Sequence, residues 1–160
     1  MESGRRARGN AVDILNYLKI DDSIGTSGQP STEQFGNIAG AGFGTVINLA
    51  LPSSDKALAD EGAIVTGLGM DYFHIPVIWE EPQVDQFFRF ASLMDMCDGE
   101  KVWVHCALNM RVSCFMYLLH RHERGMPEAA ARALMNRIWD PEDYPAWSAF
   151  IRKVADEYPG

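Results

Sequence analysis

The residues best suited to chemistry lie in one stretch, Val102-Trp-Val-His-Cys-Ala-Leu-Asn-Met-Arg-Val-Ser-Cys-Phe. An apolar run ends at His105, Cys106 follows it, and Arg111 begins a predicted helix. In an open α/β sheet, sites form at the carboxyl ends of strands, so Cys106 is a candidate nucleophile. The positive N-terminus of the following helix favours a thiolate and suits a bound oxyanion, and Arg111 can pair with two anionic oxygens. A lone cysteine is more often a small buried core residue. Here the coincidence of strand, His-Cys, short loop, arginine and helix favours chemistry.

The strands and helices that position this loop are predicted from short apolar runs that alternate with helical patterns. Strands are predicted where short apolar runs occur between turn residues, at about 24–27, 45–49, 71–77 and 101–105. Helices are predicted between and after them, at 31–40, 55–68, 84–96, 111–122, 127–138 and 142–157, with a further short helix or helical turn at 10–20. Ser31 or Thr32 offers a cap for the first of the six. We therefore expect an α/β fold with a central, mostly parallel sheet of four to five strands flanked by helices.

The composition is that of an ordinary globular protein. The 160 residues are 47% apolar and 22% charged, with a net charge of −8, which favours one domain over residues 11–160 after a flexible segment at 1–10. The acidic balance argues against nucleic acid or an anionic membrane as a partner, and three arginines near the start read as a solvated end. No segment approaches the roughly 18 apolar residues of a membrane span, and no apolar core follows the early arginines as in a secretory signal.

The cysteines and histidines indicate a reducing compartment and no structural metal. Three cysteines, Cys97, Cys106 and Cys114, are too few for a disulfide scaffold, and none forms a CxxC pair. The four histidines show no zinc-ligand spacing. We expect a cytoplasmic protein that needs no metal or organic cofactor.

Several segments together resemble the cysteine-dependent phosphatases of the protein tyrosine and dual-specificity type. The matching segments follow that superfamily's order and spacing over about residues 22–125: Ser27-Gly-Gln-Pro-Ser, Ala41-Gly-Phe-Gly-Thr-Val-Ile-Asn-Leu, Gly69-Met-Asp-Tyr-Phe-His-Ile-Pro-Val and Val104-His-Cys. They are similar in particular to the bacterial phosphatase-like domains related to the one fused to beta-lactamase-fold hydrolases, as is the tail with Trp139 and Trp147. The resemblance implies a phosphotyrosine phosphatase II-like fold.

The same resemblance implies a phosphatase that hydrolyses a phosphomonoester through a phosphocysteine on Cys106. The phosphoryl oxygens of the substrate would be bound by Arg111 and by the loop residues Ala107, Leu108, Asn109 and Met110. A free phosphate or sulfate would bind at the same place. His105 would hold the loop from behind the cysteine, and Ser113 would donate to the sulfur.

The leaving-group acid is predicted on the segment after Ile-Pro-Val. The superfamily's aspartate position is Trp79 here, and Glu80 and Glu81 follow at once. Two adjacent carboxylates near a thiolate favour a raised pKa in at least one of them, as a general acid requires. Either glutamate could serve on a mobile loop, with Glu80 preferred, or both could be exposed loop charges ahead of a helix.

The loop departs from the superfamily pattern in its length. Four residues separate Cys106 from Arg111, where the superfamily has five, and Asn109 stands in the usual glycine place. Either the loop is tighter and Arg111 still closes it, or Arg111 is rotated by about 100° on the helix. Cysteine, four residues, arginine is also the spacing of rhodanese-type sulfurtransferases, so persulfide transfer at Cys106 is an alternative. A third is a catalytically impaired anion-binding module.

Overall fold

A computed structural model describes residues 13–159, and its centre is one five-stranded sheet. The strands are, in chain order, β1 (Leu18–Lys19), β2 (Ile24–Ser27), β3 (Thr45–Asn48), β4 (Asp71–His74) and β5 (Val102–His105). Their order across the sheet is β1-β2-β5-β3-β4, with β1 antiparallel to β2 and every other pairing parallel. This confirms the predicted mostly parallel sheet and puts β5, the strand before Cys106, at its centre.

Six α-helices within residues 13–159 cover the two faces of the sheet. They are α1 (Thr32–Gly40), α2 (Glu61–Gly67), α3 (Val84–Met96), α4 (Met110–His122), α5 (Glu128–Met135) and α6 (Pro145–Asp156), with a 3-10 turn at Pro141–Asp143 before the last. Helices α1 and α2 pack with Val46 and Trp103 on one face. The other four pack with Ile47 and Val104 on the opposite face. Because side chains alternate along a strand, neighbouring residues of β3 and β5 serve different cores.

Local sequence explains where the helices begin. Pro30 precedes α1, and the Ser31 hydroxyl accepts from the Gln34 N–H while the Gln34 side chain accepts from the Ser31 N–H. This reciprocal capping box confirms the predicted cap at Ser31.

One helical prediction is wrong, and another is tested only in part. Of the segment at 10–20, for which a short helix or a helical turn is predicted, the structure describes residues 13–20: Asp13 has 3-10 geometry, a bend and turns follow, and Leu18–Lys19 forms β1. The helix predicted over 55–68 begins only at Glu61, because residues 51–60 are taken up by turns. One of these turns is closed by Leu51 donating to the Ser54 hydroxyl, and another carries Lys56 at φ 64°. The segment predicted as flexible, residues 1–10, lies outside the described range.

Candidate active site

Cys106 lies at the carboxyl end of β5, between the ends of β2 and β3. Its side chain is fully buried, and its N–H donates to the Ser27 carbonyl with an N···O distance of 3.4 Å. On the other side, the His105 carbonyl accepts from the Leu49 N–H at 2.8 Å. The cysteine therefore occupies the position at which open α/β sheets bind ligands.

The loop after Cys106 has its carbonyl groups tied to the surrounding structure. The Cys106 carbonyl lies 3.1 Å from His105 Nδ1, the Ala107 carbonyl accepts from Gln29 N–H at 3.0 Å, and the Leu108 carbonyl accepts from Asn16 Nδ2 at 3.0 Å. In a trans peptide the next N–H points opposite to the carbonyl. Within residues 13–159, the N–H groups that follow these three carbonyls donate to no protein acceptor, so they can bind an anion.

Asn109 gives the loop its final turn. It is the N-cap of α4 and adopts the left-handed conformation at φ 69°, which asparagine tolerates better than most residues. Its side-chain nitrogen donates to the Asn16 carbonyl at 2.8 Å and to the Thr26 hydroxyl at 3.1 Å. The predicted turn residue thus also fastens the loop to β2 and to the segment before β1.

Arg111 lies at the same cavity as Cys106. It is the second residue of α4, is 7% exposed, and donates from Nη1 to the Val77 carbonyl at 2.9 Å. Arg111 and Cys106 line one cavity of about 310 Å³. Both residues of the predicted cysteine–arginine pair therefore border the same space.

Aromatic side chains form the wall of this cavity opposite the loop. Trp79 and Tyr144 line it, with ring centroids 5.6 Å apart and planes nearly perpendicular. Trp79 also contacts Trp139 and Trp147, and the Trp147 indole donates to the Trp79 carbonyl at 2.8 Å. The tail tryptophans therefore both pack the last helices and support the wall of the cavity. Leu108 and Met110 complete the mostly apolar lining.

A buried contact between a carboxylate and a histidine lies next to the loop and was not predicted. Glu61, the first residue of α2, is 4% exposed, and its Oε2 lies 2.6 Å from His105 Nε2. Burial raises the pKa of the Glu61 carboxyl, but the hydrogen bonds and charge of His105, helped by Gln29 and Tyr72, outweigh it and lower that pKa overall. No local signal marks Glu61, because an acidic residue in the first turn of a helix ordinarily faces solvent and complements the dipole.

Glu80, Glu81 and Ser113 are not among the described residues that line the cavity of Cys106. Glu80 and Glu81 are exposed on the turn after Trp79 and line a separate cavity, bordered by α6. Their role as general acid stays a prediction, which requires the turn to move. The Ser113 hydroxyl donates to the Met110 carbonyl at 3.1 Å, so in this structure it bonds back to the first turn of α4.

Neither a metal cluster nor a membrane-crossing helix is found in the described residues. Over 13–159, no three His, Cys, Asp or Glu side chains are grouped to hold a metal ion. In the same range no helix has both the length and the apolar character needed to span a bilayer.

Comparisons with known proteins agree with this geometry. No protein-family model and no curated protein matches the chain. Among solved structures, a protein of Shewanella putrefaciens described as "Putative phosphatase (DUF442)" is 34% identical, with a TM-score of 0.81, over 100% of this chain and 99% of that one. Tk-PTP is 18% identical with a TM-score of 0.73, over 88% of this chain and 97% of its own. Pseudomonas aeruginosa TpbA, solved as a Cys-to-Ser variant with phosphotyrosine, is 16% identical with a TM-score of 0.69, over 86% and 83%. The last two share the fold. The identity and full coverage of the first show that this chain belongs to the DUF442 family, with the fold of the cysteine-dependent phosphatases.

Proposed function

We propose that this protein hydrolyses a phosphomonoester with Cys106 as the nucleophile. The observation that carries the proposal is that Cys106 and Arg111 line one cavity at the carboxyl end of β5, beside N–H groups that donate to no acceptor in the described part of the chain. The DUF442 and tyrosine-phosphatase neighbours support a phosphatase.

The reaction has two steps. The Cys106 thiolate attacks phosphorus, the P–O bond to the leaving group breaks, and the leaving oxygen takes a proton. Water then attacks the phosphocysteine, the P–S bond breaks, and inorganic phosphate and the thiolate are released. Arg111 and the loop N–H groups stabilise charge on the phosphoryl oxygens in both steps, which in comparable sites contributes about 10²- to 10³-fold in rate for a single donor.

A carboxyl group on the turn after Trp79 supplies the leaving-group proton in this proposal. Glu80 and Glu81 are the carboxylates nearest in sequence to Trp79, which lines the cavity. Their movement toward the leaving oxygen requires a shift of the turn. A Glu80→Gln and Glu81→Gln pair tests this part: the variant of the acid should lose rate with an alkyl phosphate far more than with a nitrophenyl phosphate, whose leaving group needs no proton.

The aromatic cavity wall favours an aryl phosphate as the first probe. Arg111 is the only charged residue among those that line the cavity in the described part of the chain, so a single phosphoryl group on a flat apolar carrier matches it best. The thiolate must stay reduced, which fits the predicted cytoplasmic location.

A single-turnover reaction with an aryl phosphate, quenched in acid, tests the proposal. Phosphate found on the Cys106 peptide by mass spectrometry is the expected result, and Cys106→Ser should lose turnover while keeping phosphate affinity. Cys114→Ser, at a buried thiol on α4, is the matched control and should retain turnover. Phosphate binding without phosphocysteine would contradict hydrolysis and favour an impaired anion-binding module.

The four-residue spacing between Cys106 and Arg111 keeps sulfur transfer as the second candidate. Intact-mass measurement after incubation with thiosulfate distinguishes it. A gain of one sulfur on the Cys106 peptide, with no phosphocysteine from the aryl phosphate, would replace the phosphatase proposal.

A further inference from the structure

The buried carboxylate of Glu61 is fully occupied by site residues. Its Oε1 accepts from Gln29 Nε2 at 2.8 Å, and its Oε2 faces His105 Nε2 at 2.6 Å. Gln29 in turn donates its backbone N–H to the Ala107 carbonyl of the cysteine loop. A buried carboxylate is costly unless it is paired. Two of its partners, His105 and Gln29, lead to the cysteine loop, which indicates a role at the site.

The surroundings of His105 fix its protonation. The ring is fully buried, Nε2 faces the Glu61 carboxylate, and Nδ1 faces the Cys106 carbonyl at 3.1 Å. A carbonyl and an ionised carboxylate only accept hydrogen bonds, so with Glu61 ionised the two contacts are both hydrogen bonds only when both ring nitrogens donate, which is the imidazolium form. The lowered pKa of the Glu61 carboxyl agrees with this pairing.

The imidazolium acts on the loop in two ways. Its Nδ1–H holds the Cys106 carbonyl, which turns the Ala107 N–H in the opposite direction. Its positive charge also lies nearer to Cys106 than the negative charge of Glu61 does, since His105 is bonded to Cys106 and separates the two. The oriented pair therefore favours the thiolate.

We propose that Glu61 is a positioning residue of this site: it keeps His105 doubly protonated, and His105 orients the Cys106 peptide and favours the Cys106 thiolate. This rests on the proposed role of Cys106 as the nucleophile. In this proposal, Glu61 acts through its negative charge as well as through its shape.

Few other groups near the pair can titrate. Tyr72 of β4 faces Glu61, and burial raises the pKa of its phenol, so it stays neutral between pH 6 and 9. His74 contacts Tyr72 with ring centroids 6.1 Å apart, and it binds the Ala50 carbonyl. Gln29 and Phe35, the other neighbours of the pair, carry no charge.

Glu61→Gln is the decisive variant because it has the same shape without the charge. The side-chain amide can still bond to a neutral His105, so packing is retained while the imidazolium is lost. Glu33→Gln, on the exposed first turn of α1, is the matched control. Two readouts are needed: ¹⁵N NMR of the His105 ring, assigned with His105→Asn, and the rate of Cys106 alkylation by iodoacetamide at pH 6 and pH 9, followed by peptide mass.

We expect both His105 nitrogens to be protonated at pH 7 in the wild type and in Glu33→Gln, and one to be bare in Glu61→Gln. Alkylation of Cys106 at pH 6 should fall about tenfold in Glu61→Gln and change by less than about twofold at pH 9. A purely structural role would not produce this pH-selective loss. An unchanged ring spectrum or an unchanged rate at pH 6 in Glu61→Gln would overturn the proposal.

The wild-type ¹⁵N spectrum is a test that does not require Glu61→Gln to fold. A neutral His105 in the wild type would by itself overturn the proposal. Neither readout uses a phosphate ester, so failure of the phosphatase proposal is seen separately. A wild-type Cys106 that reacts at pH 6 no faster than the urea-unfolded chain would contradict the nucleophile itself.

Discussion

The Arg111 guanidinium donates from Nη1 to the carbonyl of Val77 at 2.9 Å. This bond joins the N-terminus of α4 to the segment that leads from β4 to Trp79. The Arg111 side chain therefore fixes the position of the cysteine loop relative to the segment that carries Trp79. Position along the chain would not reveal this, since 34 residues separate the two partners.

Arg111→Lys should lower kcat/KM for an aryl phosphate by about 10² to 10³. Lysine keeps the charge but has no planar fork, so it cannot hold Val77 and clamp two phosphoryl oxygens together. Arg89→Lys, at an exposed arginine of α3, is the matched control for the substitution. Steady-state kinetics that place Arg111→Lys within twofold of the wild type would show that the arginine does not bind the reacting group.

Gly28→Ala should impair both activity and stability. A Cβ at Gly28 would lie 2.5 Å from the Ala107 carbonyl oxygen and 3.2 Å from Leu15, and the first of these is loop backbone that cannot move aside. Gly36→Ala, inside α1 with open space around it, should keep full activity and gain about 0.5–1 kcal/mol of stability. Thermal melts and aryl phosphate turnover check both, and equal behaviour of the two variants would contradict a role for Gly28 in loop placement.

The sheet was predictable because its central strands are short apolar runs buried on both faces, as at Thr45–Asn48 and Val102–His105. The short strand β1 was missed, since a two-residue strand leaves no periodicity to detect. Cys106, Arg111 and the turn at Asn109 were predicted because their chemistry is local to one loop. Glu61 was not, because only packing of α2 against the sheet brings it to His105, 44 residues away.

Asn109→Ala should destabilise the loop more than Asn109→Gly. Both variants lose the bonds to the Asn16 carbonyl and the Thr26 hydroxyl, but only alanine also strains the left-handed backbone at φ 69°. We expect an additional cost of about 1 kcal/mol for alanine, measured as the difference in urea midpoints at equal m-value. Alanine at least as stable as glycine would contradict the left-handed turn.

The stability of the protein should depend on Glu61 most strongly above its unfolded pKa. The folded pKa of this carboxyl lies below its ordinary value of 4.5, because its hydrogen bonds and the charge of His105 outweigh burial. The stabilisation is thus fully present above that value and is lost as the pH falls through the folded pKa. At pH 7 we expect Glu61→Gln to be less stable than the wild type by roughly 1.5–3 kcal/mol, the contribution of a hydrogen bond to a charged group.

The difference in free energy of unfolding between the wild type and Glu61→Gln should disappear as the pH falls below 4.5, because a protonated Glu61 has the same charge as glutamine. Urea unfolding at a series of pH values measures it, with Glu33→Gln as the reference for loss of an exposed carboxylate. A gap as wide at pH 3 as at pH 7 would mean that Glu61 stabilises the fold by packing alone, and that its charge has no part in holding His105.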